Sequence, residues 1–101
     1  MDFKHLLEQA QNFQHNLEQI EKDMEGLRTS GTAGGGAAQA VVNGQGAVLE
    51  LELSPELVAT GDAVQIAEVV KAALRQAQDA ARAEREQRRG QLLGDLKLPD
   101  L

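Results

Sequence analysis

Phe3, Leu6, Ala10, Phe13, Leu17, Ile20, Met24 and Leu27 are spaced alternately three and four residues apart, without a break. A period of 3.5 draws one narrow apolar stripe along a helix, and another helix covers so narrow a stripe more readily than a broad core does. The spacing predicts a helix from about Asp2, as cap, to about Leu27 with Gly26 near its end, roughly 37 Å long at about 1.5 Å per residue. Glu8, Gln9, Gln11, Glu18, Glu21, Lys22 and Glu25 occupy its outward positions and form a solvated face of helix formers. Whatever else the chain does, it must find a surface for this seam.

The rest of the composition narrows where that surface comes from. A chain of 101 residues with two phenylalanines and neither Trp nor Tyr buries a modest core alone, so oligomerisation is the expected way to complete it. The lack of cysteine removes disulfides, thiol chemistry and Cys-ligated zinc together. No apolar run approaches the roughly 20 residues of a membrane span, and Met1-Asp2-Phe3-Lys4-His5 does not read as a secretion signal. A soluble, cytoplasmic protein without membrane or small-molecule partners is expected.

Downstream of the seam the chain changes character. Thr29 to Gly36 is a breaker segment, expected to hold a short edge strand around Arg28 to Gly31 and then a flexible loop. Asn43-Gly44 separates the apolar runs 37–42 and 47–53, a hairpin signal resting on the tolerance of both residues for positive φ. In the second run Leu49, Leu51 and Leu53 alternate with Glu50 and Glu52, which predicts one buried and one wet face. Ser54-Pro55 ends the strand and opens a short turn or helix through Leu57. Asp62-Ala63-Val64-Gln65 reads as a capping box at the start of a second long helix, with Asp and Gln satisfying orphan amides reciprocally. That helix carries Ile66, Val70, Leu74 and Ala77 on one face and is expected to stop at about Arg89, before Gly90. The fold class is therefore α+β: a long helix, an antiparallel sheet of two to three strands, and a long helix, in one domain over 1–90 with a partly ordered tail over 91–101. Phe13, Leu17, Ile20, Leu49, Leu51 and Leu53 are the candidate core and dimer-packing residues.

The residue inventory is poor in reaction chemistry. His5 and His15 lie ten residues apart on the first helix, which is no ligand spacing. Gly34-Gly35-Gly36 lacks the Gly-Lys-Ser/Thr that opens a P-loop helix. Glu50 and Glu52 read as a solvated sheet face. No catalytic residue, metal site or cofactor is expected, and the chain does not read as an enzyme.

Charge is more informative. The net charge of −6 opposes approach to a phosphate backbone, but its distribution is uneven. Residues 31–70 contain no Lys or Arg, whereas Arg82, Arg85, Arg88 and Arg89 are opposed only by Glu84 and Glu86. Arg82, Arg85 and Arg89 fall three and four apart and share one stripe that can meet phosphates. As an alternative, the cluster simply solubilises an exposed helix and complements its C-terminal dipole.

The Gln-rich first helix (Leu7-Glu8-Gln9-Ala10-Gln11-Asn12-Phe13-Gln14), Thr29-Ser30-Gly31 followed by Gly34 and Gly36, the Asn43-Gly44 turn, Ser54-Pro55-Glu56-Leu57 and the Ala-rich second helix together resemble the YbaB/EbfC family of bacterial nucleoid-associated proteins. The resemblance covers nearly the whole chain and rests on order and spacing rather than on one motif. It implies a homodimer with a shared sheet and helices projecting like tweezer arms, which binds double-stranded DNA in the nucleoid and alters its conformation, with roles in nucleoid organisation and gene regulation. It places the DNA contacts at the arm ends, here Lys4 and His5 at the start of the first helix and Arg82, Arg85, Arg88 and Arg89 at the end of the last. In the strands, where that family often carries Lys or Arg, this chain has Gln39, Leu49 and Glu50. With no helix-turn-helix, zinc finger or stacking aromatic, the binding expected is backbone-directed and salt-sensitive.

Two other functions fit the element order. A prefoldin-like chaperone or protein-binding adaptor also has helices flanking a hairpin, although Ala and Arg on the distal second helix suit an unfolded client poorly. A structural coiled-coil subunit of a larger complex is the third reading.

Overall fold

A computed structural model describes residues 2–95. The chain runs α1 (Phe3–Gly26), β1 (Arg28–Ala33), β2 (Ala38–Asn43), β3 (Val48–Leu53), α2 (Pro55–Ala59) and α3 (Ala63–Asp95). The strands form an antiparallel meander in the order β1-β2-β3. The expected α+β fold is what the chain adopts, with three strands rather than two. Asp2 caps α1, its carboxylate accepting from the Lys4 amide at 3.1 Å. At the other end of the helix the Leu27 amide donates to the Met24 carbonyl at 3.2 Å.

Small residues set how the layers meet. Ala73, Ala77 and Ala81 of α3 lie fully buried on Ala38, Ala40 and Val42 of β2, with Ala33, Leu53, Val69 and Leu74 around them. With only methyl groups between the layers, the helix comes close enough for backbone contact. A Cβ at Gly31 would strike the Ala73 carbonyl oxygen and lie 2.6 Å from the Ala77 nitrogen. Bonds flank the contact: the Thr29 hydroxyl donates to the Ala77 carbonyl at 2.8 Å, and the Thr32 amide to Gln76 Oε1 at 2.6 Å. The alanine-rich stretch of α3 is therefore the core itself.

The β2–β3 turn differs from the one Asn-Gly suggests. Neither Asn43 nor Gly44 has positive φ; Gly46 does, at 90°. The Gly46 amide donates to the Asn43 carbonyl and the Asn43 amide to the Ala47 carbonyl, both at 2.9 Å, while Asn43 Oδ1 accepts from the Gln45 and Ala47 amides at 3.0 Å. This is a three-residue loop with a left-handed glycine in its last position. The conformational freedom is needed three residues after Asn43, and Gly44 serves another purpose. A Cβ there would meet the Met24 carbonyl oxygen at 2.6 Å, on the path of the 2.7 Å bond from the Gly44 amide to that oxygen.

The turn gathers both long helices. Beyond the Gly44–Met24 bond, Gln45 Nε2 reaches the Glu21 carbonyl of α1 at 3.4 Å, and Gln78 Nε2 of α3 reaches the Gly46 carbonyl at 3.1 Å. The seam of α1 divides accordingly. Met24 is buried, and Ile20 faces α3 across a cleft lined by Asn16, Asp23, Glu84, Arg88 and Leu92. Phe13 and Leu17 are half-buried, while Phe3 is 73% exposed at the free end. The seam thus meets the chain's own α3 and hairpin at Ile20 and Met24.

Three further expectations need correction. Helix α3 continues through Gly90 to Asp95, because a glycine inside a helix costs about 1 kcal/mol, which is not enough to end one. The capping box is one-sided: Asp62 Oδ1 accepts from the Gln65 amide at 3.1 Å, but the Asp62 amide donates to the Thr60 hydroxyl at 3.2 Å and not to Gln65. The loop after β1 shrinks to a tight turn, since Thr32 and Ala33 belong to the strand and Gly34, Gly35 and Gly36 all take positive φ. Leu96 and Leu98 of the expected tail lie outside the described residues.

The largest departure concerns β3. Pairing with β2 puts Leu51 and Leu53 on the α3 side and Glu50 and Glu52 on the other, as the alternation predicts. Helix α3 lies over β1 and β2, however, so Leu51 is 43% exposed and only Leu53 is half-buried, while a register shift at Val41/Val42 leaves Leu49, 45% exposed, without a partner on β2 and outside the alternation. A radius of gyration of 19.9 Å, against about 13 Å for a compact chain of this length, describes an elongated chain with part of its apolar sheet uncovered.

Candidate nucleic-acid interface

Arg82, Arg85, Arg88 and Arg89 lie on α3 where it leaves the sheet, and packing divides their roles. Arg85 is half-buried, and its Nη1 donates to the Gly44 carbonyl at 2.5 Å. Arg88 is also half-buried and pairs through Nε with Glu84 Oε1 at 3.0 Å. Arg82 is open to solvent, with Asp79 Oδ1 at 3.8 Å, an exposed contact of little energetic weight. Arg89 is exposed on the same side, beside the small cleft that Ile20, Glu21, Met24, Gln45 and Arg85 line. Arg82 and Arg89 are thus available to an anion, while Arg85 and Arg88 already hold protein atoms.

Lys4 and His5 are exposed in the first turn of α1. Met24, which shares a cleft with Arg85 and Arg89, lies about 30 Å along α1 from Lys4 at roughly 1.5 Å per residue. The fold does not bring the candidate cations into one patch. Nor do the arginines sit at an arm's end, because α3 extends beyond them to Asp95.

The sheet face away from α3 offers no basic surface. It carries Ser30, Thr32, Gln39, Val41, Glu50 and Glu52, and its one cation, Arg28, pairs with Glu50 at 3.0 Å. Among the described residues no group of His, Cys, Asp or Glu is placed to hold a metal ion, and no helix is long and apolar enough to cross a membrane.

Comparison with known proteins gives this geometry a context. The sequence pattern of the YbaB/EbfC DNA-binding family matches residues 1–96. The chain belongs to that family. A nucleoid-associated protein of Desulfotalea psychrophila is 35% identical over 105 residues, covering 100% of this chain and 95% of its own. A second, from Cutibacterium acnes, is 39% identical over 83 residues, covering 82% of this chain and 78% of its own. The crystal structure of an uncharacterized Helicobacter pylori protein superposes with a TM-score of 0.78 over 92% of this chain and 98% of that one, at 24% identity, and so shares the fold.

Two cations of this YbaB/EbfC chain escaped the sequence reading. Lys71 and Arg75 lie on the same side of α3 as Arg82, around a shallow groove with Ala67, Val70, Leu74 and Gln78. Carrying the three-and-four spacing of Arg82, Arg85 and Arg89 backwards through Gln78 would have found them.

Proposed function

We propose that this protein is a nucleoid-associated, homodimeric DNA-binding protein that holds duplex DNA by its phosphate backbone and alters its conformation. The observation that carries the reading is the pair of exposed arginines, Arg82 and Arg89, on a helix locked to the sheet, in a chain of a DNA-binding family. Rigid cations gain Coulomb energy and release condensed counterions without first paying to order the helix that presents them. Nothing near them is arranged to read base edges, so the contact is expected to be indifferent to sequence.

The uncovered side of β3 supports the dimer. A free edge strand with Val48, Leu49 and Leu51 exposed on an elongated protomer is a surface that proteins cover by pairing. A second copy, joined there into a shared sheet, would bury it.

Electrophoretic retardation of a duplex in low salt tests the DNA contact. The wild-type protein should retard it, and R82Q/R89Q should do so much more weakly. Equal retardation by both would remove these arginines from the contact. Suppression of client aggregation without any DNA shift would favour the chaperone-like alternative instead.

A further inference from the structure

Helix α3 is oriented by three fixed points. Gly31 sits under Ala73 and Ala77, Gln78 bonds the Gly46 carbonyl, and Arg85 bonds the Gly44 carbonyl. These contacts fix how the helix is rotated about its own axis. At roughly 100° per residue, Lys71, Arg75, Arg82 and Arg89 all fall within about 40° of one line along that helix. All four are exposed. Lys71 meets only Glu68, at 3.4 Å, and Arg82 only Asp79, at 3.8 Å, both solvated pairs. Arg75 and Arg89 form no ion pair among the described residues. Gln78 and Arg85, which lie along the same line, are turned to the hairpin.

We propose that Lys71, Arg75, Arg82 and Arg89 form one continuous cationic track on which the duplex backbone lies, so that the contact starts above the sheet beside β3 and not at the tips of the helices. This inference rests on the DNA-binding reading above and specifies its site. The track is about 27 Å long, with steps of about 6, 10 and 10 Å at roughly 1.5 Å per residue. The longer steps approach the roughly 12 Å width of the major groove, so successive arginines reach phosphates on its two rims. At roughly 100° per residue Glu68, Asp79 and Glu86 border the track on one side, and Glu21 of α1 lines the cleft beside Arg89; together they limit its field. Binding therefore depends on direct contact rather than on long-range attraction. The one amide along the line, Gln78, is committed to Gly46, which leaves the track no side chain that reads adenine. Arg85 is a positioning residue that holds the helix at this angle.

The test compares K71Q/R75Q and K4Q/H5Q with wild type on one duplex, between about 50 mM and 200 mM salt. The substituted side chains are exposed and glutamine is a good helix former, so circular dichroism should show unchanged folding. Each phosphate contact contributes about 0.9 to the slope of log affinity against log salt, so K71Q/R75Q should flatten the slope by about 3.6 for a dimer. Its affinity in low salt should fall on the order of tenfold or more, while K4Q/H5Q stays within about twofold of wild type. If K71Q/R75Q keeps the wild-type slope and affinity, the track is wrong although DNA binding stands. Loss of binding in K4Q/H5Q alone would return the contact to the helix tip and overturn the proposal. A wild-type protein that binds no duplex would overturn both the track and the reading beneath it.

Discussion

Replacing Gly31 with alanine should cost more stability than any other single methyl group added to this chain. The new Cβ would overlap the Ala73 carbonyl oxygen and lie 2.6 Å from the Ala77 nitrogen, and both are helix backbone that no rotamer change can move. The helix must lift or the strand must bend. Overpacking of this kind costs about 1–3 kcal/mol. Lifting α3 also stretches the bonds on either side, Thr29 to the Ala77 carbonyl at 2.8 Å and Thr32 to Gln76 at 2.6 Å, each worth about 1 kcal/mol. With those bonds weakened and not fully lost, the total is about 2–4 kcal/mol, a large share of the roughly 5–15 kcal/mol that holds a domain together. For a chain of this length the midpoint should drop on the order of 10–20 °C. Thermal and urea unfolding at one fixed protein concentration measure it, because the midpoint of the proposed dimer varies with concentration. Gly90→Ala is the control: it has nothing within 4 Å and lies in the same helix, so it should stabilise by about 1 kcal/mol. A Gly31→Ala protein within about 0.5 kcal/mol of wild type would refute the close contact of α3 with β1.

Other perturbations follow from the same contacts. Gly44→Ala should destabilise by about 1–3 kcal/mol in urea titration and loosen α1, since its Cβ meets the Met24 backbone. Arg85→Ala should lose about 1–2 kcal/mol through its bond to the Gly44 carbonyl, whereas Arg89→Ala, exposed, should change stability by less than about 0.5 kcal/mol. Unfolding curves of the two distinguish a positioning arginine from a contacting one. Leu51→Lys should leave the circular dichroism spectrum of the protomer intact while halving the mass measured by light scattering, because Leu51 is 43% exposed on the uncovered side of β3.

How much of this was legible in the sequence depended on whether the signal was local. The three-and-four spacing of Phe3 to Leu27 gave α1 nearly to the residue, since helix period is written into consecutive side chains. Asn43-Gly44 marked the hairpin but not its geometry: Gly44 is there for Met24, a residue distant in sequence, and the left-handed position is Gly46. The alternation of Leu51 and Leu53 with Glu50 and Glu52 gave the correct faces and the wrong burial. Whether a face is covered depends on where α3 lands, which is decided by Gly31 and the alanines beneath it. The arginines were visible as charge. That Arg85 and Arg88 are spent on Gly44 and Glu84, and that Lys71 and Arg75 continue the line, emerges only when α3 is placed on the sheet.

A protein that grips duplex DNA through phosphates and without reading bases should hold unrelated sequences alike. Titrating the wild-type protein against two duplexes of unrelated sequence, across about 50–200 mM salt, is the deciding measurement. Two parallel lines of log affinity against log salt are predicted, falling steeply by about 0.9 per phosphate engaged. A flat line, or tight binding to one duplex and none to the other, would contradict such a grip.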